Sequence, residues 1–336
     1  MSSTDDDPAA GATVRFDPAA FEAVTFETVA EGLRFPEGPI AMADGSVLLV
    51  EIERGTLSRV TPEGDVEVVA DCGGGPNGAA LGPDGAVWVA NNGGCFSYFE
   101  VGGLLIPGPV PDTYTQGSIQ RVDLTTGSVE TVYTTCGDHP LLAPNDLVMD
   151  GRGGFWFTDH GLRLERTTDR GGAYYGRCDG SGVTEVVFPV ESPNGIGLSP
   201  DGDRLYVAET YTGRLWAWDV HGPASASGSG LMPPHGDLLH AAPGQDYFDS
   251  LAVDGDGNVC VATIQAGGIS VVPPAGGGTY ALVPVDDVVT TNICFGGDDM
   301  CTAWVTASST GRLLRARWPV AGLRLPHSVG HPPPAN

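Results

Sequence analysis

The sequence contains no lysine: all 16 basic residues are arginine, set against 42 acidic ones, for a formal net charge of −26. A surface this acidic repels phosphate backbones and anionic membrane faces, so nucleic acid and membrane are excluded as expected partners and a small molecule is the expected one. Without lysine there is no phosphate-cradling loop of the glycine-lysine kind, and the chain also lacks a Gly-x-Ser-x-Gly elbow and a His-Glu-x-x-His pair. No run of about 18 apolar residues occurs, so no spanning helix is expected. Met1 to Pro8 is Ser/Asp-rich and has neither the basic nor the apolar stretch of a secretory signal. Cysteine is sparse. Cys72, Cys95, Cys136, Cys178, Cys260, Cys294 and Cys301 are odd in number and widely spaced, with no Cys-x-x-Cys. That argues against a disulfide frame or a zinc-thiolate site and for reduced thiols in a cytoplasmic protein.

What the chain has in excess is glycine and proline, 50 and 27 in 336 residues. Beside a normal apolar fraction these predict many short strands joined by tight turns, an all-β protein of one large domain or two smaller ones. The strongest signal is a repeated spacing. Glu37 lies seven residues before Asp44-Gly45, Asn77 seven before Asp84-Gly85, Asn194 seven before Asp201-Gly202 and Asp249 seven before Asp256-Gly257. Looser copies place Asn145 seven before Arg152 and Asn292 seven before Asp299. Each polar residue opens an apolar strand, a turn follows, and then comes a second strand such as Val47 to Val50, Val87 to Ala90, Phe155 to Thr158 or Leu205 to Ala208. These β-branched and aromatic runs suit strands buried on both faces.

The intervals between the six polar residues are 40, 68, 49, 55 and 43. Each unit therefore holds about four strands, which predicts a six-bladed β-propeller. After Trp318 there is little room for a fourth strand in the last unit, and Phe21 to Ala30 is expected to supply it, closing the ring and removing exposed sheet edges. The domain plan is a flexible tail over 1–20, the propeller over 21–320 and a Pro-rich tail over 321–336. Two intervals carry insertions, from about Asn91 to Gln116 and from about His221 to Tyr247. The aromatic content of the first suggests a lid; the second, with His235 and His240, is a weaker candidate.

In a propeller the innermost strand of each blade lines the channel, so a register repeated in every blade becomes a ring at one height. Glu37, Asn77, Asn145, Asn194, Asp249 and Asn292 would form it. All six side chains carry oxygen and none is soft, a donor set that suits Ca²⁺ or Mg²⁺, and also Mn²⁺. Asn77-Gly78 and Asn194-Gly195 are also hairpin dipeptides, but a turn does not explain why Glu37 and Asp249 share their register. His160, at the end of a strand, reads as a solvated turn residue more than as a channel base, and His139 lies in a polar loop.

Phe35-Pro36-Glu37-Gly38-Pro39, Pro144-Asn145-Asp146-Leu147-Val148, Phe155-Trp156-Phe157-Thr158-Asp159, Pro193-Asn194-Gly195-Ile196, Leu205-Tyr206-Val207-Ala208-Glu209 and Asn292-Ile293-Cys294-Phe295-Gly296-Gly297 together resemble the SMP-30/gluconolactonase/luciferin-regenerating-enzyme family. The resemblance runs in order from about residue 30 to 318. It implies a six-bladed propeller with one divalent cation, usually Ca²⁺ with Zn²⁺, Mn²⁺ or Mg²⁺ as alternatives, that hydrolyses lactones or, in relatives, organophosphates. By motif it implies Glu37, Asn194 and Asp249 as metal ligands, Asp249 also as the base or nucleophile, and Asn145 in contact with metal or substrate; taken with the ring, Asn77, Asn145 and Asn292 are expected to orient water and substrate. Two positions depart from the pattern: Ala143 stands where sugar-lactone members carry an arginine, and Ser250 stands where glycine is usual. The expected reaction is metal-dependent lactone opening with Asp249 activating water. Phosphotriester hydrolysis, or a lyase or isomerase step at the same site, is the alternative chemistry, and a non-catalytic, metal-stabilised binding propeller the alternative class.

Overall fold

The computed structural model describes residues 16–328; the outer parts of both expected tails, 1–15 and 329–336, lie outside the described residues. Six antiparallel sheets stand in a ring, each inner strand packed beside those of the two neighbouring blades. The inner strands are Pro36–Ala41, Pro76–Leu81, Pro144–Met149, Pro193–Leu198, Tyr247–Val253 and Thr290–Gly296. Val47–Glu51, Val87–Asn91, Gly154–Asp159, Arg204–Glu209, Val259–Ile264 and Thr302–Ala307 pair with them. The protein is thus an all-β, six-bladed propeller. Its last blade is completed by Glu27–Ala30, which pairs antiparallel with Arg312–Arg317. That closing strand is shorter than the expected Phe21 to Ala30. Phe21 instead ends a 3-10 turn, Pro18–Phe21, capped by the Asp17 carboxylate, and its ring packs 5.5 Å from that of Trp318.

The second strands are buried on both faces because adjacent blades take alternate side chains from each. Val47 and Leu49 join the interface between blades six and one, whereas Leu48 and Val50 join that between one and two. In blade three Trp156 faces blade four while Phe155 and Phe157 face blade two. Each blade interface holds one apolar cluster of this kind. Truncating a wholly buried ring such as Phe157 to Ala is expected to cost about 3–5 kcal/mol.

The two insertions have different fates. The first forms a hairpin, Tyr98–Val101 with Leu104–Pro107, that leaves blade two but docks on others. Its residues pack with Phe35 and Ile52 of blade one and with Ile264 and Val289 near blades five and six, and Leu105 N–H donates to Ser309 O at 2.8 Å. The hairpin therefore spans the channel mouth. The second insertion is not a lid. Its Asp237–Ala241 is the outer strand of blade four, and Ser225–Ser227 extends the same edge.

At the opposite end the chain after Trp318 crosses beneath the ring, with Leu323 N–H bonded to Val253 O and Pro326 against Gly151. Leu323, Leu325 and Pro326 close the lower channel, an apolar space of about 120 Å³.

Candidate active site

All six inner strands break register where the ring residue sits: between Glu37 and Ile40, Pro76 and Gly78, Pro144 and Leu147, Pro193 and Ile196, Phe248 and Leu251, and Thr290 and Asn292. A bulge adds a residue and re-aims a side chain that regular pleating would direct into a blade interface. The expected ring thus arises from six bulges at one level. Asn77-Gly78 and Asn194-Gly195 lie inside strands and form no turns.

The glycines following three ring residues permit close approach between blades. A Cβ on Gly38 would lie 2.8 Å from Ala79 N, one on Gly78 2.6 Å from Asn145 O, and one on Gly195 2.6 Å from Leu251 N. Blade five carries Ser250 at this position, and its hydroxyl donates to Asn194 Oδ1 at 3.2 Å. The departure from glycine thus adds a bond to a ring member.

Blade three carries Asp146 there, an acid that the repeat spacing did not single out. Asp146 is buried; its carboxylate accepts from Leu147 N–H at 2.8 Å and from Ile196 N–H at 3.3 Å. Because the other blades place Gly, Ser or Ile at this register, aligning the repeats hides it. The available signal was an acid between an asparagine and the apolar Leu147-Val148 within a strand.

Glu37, Asp146 and Asp249 form one electrostatic unit. Burial raises Glu37 well above the ordinary range, and the neighbouring charges of Asp249 and Asp146 raise it further, while Asn292 opposes the rise. Asp249 keeps some accessible surface at the channel mouth, yet burial pushes it up to about 7; the Asn194 carboxamide opposes that shift and the Asp146 charge adds to it. Burial likewise raises Asp146 to about 7, against the pull of its backbone donors. Three carboxylates this close, two of them buried and the third partly so, remain ionised together only with compensating positive charge.

Hydrogen bonding within the ring is incomplete. Asn292 Nδ2 donates to Glu37 Oε2 at 2.6 Å, and Asn292 Oδ1 accepts from Ile293 N–H at 2.7 Å. Asn194 Nδ2 donates to Thr210 Oγ1 at 3.1 Å. Glu37 Oε1 and Asn145 Oδ1 are buried with no donor, and Tyr98 OH, at the base of the hairpin, is buried with no partner. The two orphan oxygens are acceptors only, so a cation beside three acids fits them. Among the described residues no three His, Cys, Asp or Glu side chains form a metal-binding group by themselves. Carboxamide oxygens would therefore have to complete any coordination shell.

A second tier fixes the loops leading into the ring. Glu51 Oε2 accepts from Arg34 N–H at 2.7 Å, Asn91 Oδ1 from Gly75 N–H at 3.0 Å, and Glu209 Oε1 from Glu191 N–H at 3.0 Å. Asp159 accepts from Leu142 and Ala143 N–H at 2.7 and 2.8 Å. These residues end the second strands, 14 or 15 positions after the ring member of the same blade, a spacing that was readable in the sequence.

Above the ring, a cavity of about 600 Å³ opens between the hairpin flanks, the 160–165 loop and Tyr211. His160 is not a solvated turn residue: it is 6% exposed, with its ring 6.4 Å from Phe96 and 5.7 Å from Tyr211. Burial lowers it to about 4, so it is neutral near pH 7. Its position at a strand end gave no hint of the side chains, from another blade's insertion, that cover it.

The architecture is thus a six-bladed propeller with a ring of acids and carboxamides under a capped channel mouth. Residues 35–309 match the SMP-30/Gluconolactonase/LRE-like region, and the chain belongs to that family. The gluconolactonase of Zymomonas mobilis is 25% identical over 324 residues, covering 88% of this chain and 82% of that protein. Lactonase drp35 of Staphylococcus haemolyticus is 34% identical over 127 residues, 38% of this chain and only 37% of that protein's length. The crystal structure of regucalcin from Agrobacterium tumefaciens, described as calcium-binding, superposes with a TM-score of 0.69 at 18% identity, covering 90% of this chain and 98% of that one. At that identity the likeness concerns the fold.

Proposed function

We propose that this protein is a divalent-cation-dependent hydrolase that opens lactones. The observation carrying the reading is the pair of orphan acceptors, Glu37 Oε1 and Asn145 Oδ1, in a ring whose carboxylates are otherwise uncompensated. Lactonase relatives point to the same reaction. Glu37, Asn145, Asn194 and Asp249 are the residues that would hold the ion, Ca²⁺ being the best match to an all-oxygen set. Such an ion supplies Lewis-acid polarisation of a carbonyl oxygen.

The chain's own groups do the rest. Asp249 takes a proton from water as the water oxygen attacks the lactone carbonyl carbon. Collapse of the tetrahedral adduct breaks the ring C–O bond, and Asp249 returns its proton to the departing alkoxide, giving a hydroxy acid. Asn77 and Asn145 orient water and substrate at ring height. Asn292 has both ends of its carboxamide engaged, so in this reading it positions Glu37 instead of touching substrate. The unpartnered Tyr98 hydroxyl is available to donate to a substrate oxygen from above. The apolar lower channel leaves substrate and water to enter from the hairpin side.

The test is proton release from a panel of lactones with the protein chelated and then reloaded with Ca²⁺. Opening of at least one lactone that is lost on chelation and restored by Ca²⁺ supports the reading; chelation-insensitive turnover, or none on any lactone, refutes it.

A further inference from the structure

The upper cavity has a single cation among its lining residues. Arg163 follows His160 by three residues and lines the cavity with it. Its guanidinium carbon stands 4.1 Å from the Tyr211 ring centroid. Most other arginines of this acidic protein are paired with carboxylates, yet Arg163 forms no ion pair among the described residues. Stacking on an aromatic face fixes a guanidinium, and the N–H donors of Arg163 not directed at the Tyr211 hydroxyl suit capture of a carboxylate.

Arg163 also belongs to a continuous wall. The rings of Phe96, His160, Tyr211 and Tyr247 touch in sequence, with the last contact at 5.8 Å and edge-to-face. Tyr247 precedes Asp249 by two residues on the same strand. The wall therefore leads from Arg163 toward Asp249. His160 on this wall is neutral, and Glu165, the acid on the same loop, is 91% exposed and turned toward Arg166. Charge is thus split along the wall: Arg163 stands at the cavity, and Asp249 lies beyond Tyr247 at the other end.

We propose that the substrate is a lactone on a flat apolar body bearing a carboxylate, and that Arg163 selects it and sets its orientation. A carboxylate directed down the channel would meet Glu37, Asp146 and Asp249. Held by Arg163, it leaves the lactone ring as the only part that reaches Asp249, while the aromatic wall takes the flat body between them. The proposal rests on the lactone-hydrolase reading, because it is that reading which puts the reacting carbonyl at Asp249.

The experiment uses the Ca²⁺-loaded full-length protein with two probes, a γ-lactone bearing a 4-carboxyphenyl group and the same lactone with a 4-carboxamidophenyl group. Wild type is expected to favour the carboxylate at least tenfold in kcat/KM. In Arg163→Met that ratio falls about tenfold, mostly through KM, and Arg163→Lys recovers part of it. A wild-type ratio near one, or a ratio unchanged in Arg163→Met, overturns the proposal. If neither lactone is opened, the hydrolase reading fails on these probes, and calorimetric binding of 4-hydroxyphenylacetate against its amide decides the role of Arg163. Selective binding of the acid, lost in Arg163→Met, sustains carboxylate recognition; equal binding of acid and amide, or selectivity retained in the variant, overturns it. Unchanged melting of Arg163→Met confirms that a lost preference is not lost folding.

Discussion

Asn292 and Glu37 are 255 residues apart in the chain and joined by a 2.6 Å hydrogen bond in the channel ring. The bond spans the closure between blades six and one, beside a second link in which Ser308 Oγ donates to Pro36 O at 2.6 Å. Closing the ring and orienting the ring's glutamate are therefore one structural event. It leaves Glu37 Oε2 occupied and Glu37 Oε1 free to face a ligand.

Replacing Asn292 with Leu removes that donor while roughly keeping shape. Stability is expected to fall by about 1–3 kcal/mol in denaturant unfolding, since a buried carboxylate loses a partner. Ca²⁺ affinity measured by calorimetry should fall about tenfold or more as Glu37 loses its orientation. Unchanged affinity would show that Asn292 does not position Glu37.

Asp249→Asn retains size and hydrogen bonding but cannot accept the water proton. Lactone turnover is expected to drop by about 10²–10⁴-fold, the range for loss of a general base. Circular dichroism and melting should show the fold preserved; turnover near the wild-type rate would remove Asp249 from the mechanism.

The same substitution has a pH signature in the chelated protein. Burial raises Asp249 from an unfolded value of about 3.9 to about 7 in the fold. The native state then binds the proton more tightly than the unfolded chain, so this group's contribution to stability is lost as pH rises from about 4 to about 7. Asp249→Asn carries no such loss. Its stability relative to wild type should improve by roughly 2 kcal/mol between pH 5 and pH 8. Excess Ca²⁺ at pH 8 should reverse the order, and parallel profiles for the two proteins would refute the shift.

Gly78→Ala tests the contact between blades two and three. The new Cβ would lie 2.6 Å from both Asn145 O and Asp146 Cα, both backbone atoms, so a strand must move. A loss above about 2 kcal/mol is expected. Gly278→Ala is the control, since its Cβ meets nothing within 4 Å, and should stay within about 0.5 kcal/mol of wild type. Similar losses in both would mean that the strands are not packed this tightly.

Tyr98→Phe deletes a hydroxyl that has no protein partner. Stability should be unchanged or slightly higher, because no hydrogen bond is lost and less polar surface is buried. If the hydroxyl serves the substrate, kcat falls about tenfold or more with the fold intact. A stability loss with unaltered kcat would give Tyr98 a purely structural role.

The blade count, the closure by an N-terminal strand and the six ring positions were legible in the sequence because they are properties of spacing. A strand of fixed rise, a tight Asp-Gly turn and a pleat of period two place residue i at one height whenever the unit repeats. The end residues of the second strands follow from the same arithmetic. Asp146 was hidden because it occupies the ring register plus one, where the other blades carry Gly, Ser or Ile. His160 was misread because what buries it comes from elsewhere in the chain. The 221–247 insertion differs from the 91–116 one by lending a strand to its own blade, which its Asp237–Ala241 segment signalled only weakly.

The sequence by itself determined the propeller and the six side chains offered to its axis, since covalent spacing sets strand register. Only the tertiary structure decided the chemistry of that offer. The bulges that turn the six inward, the mutual proximity of Glu37, Asp146 and Asp249, the shifts this imposes, and the hairpin that caps them all depend on residues from different blades meeting in space. Coulomb interaction and desolvation act on distances between atoms, and those distances exist only once the ring has closed.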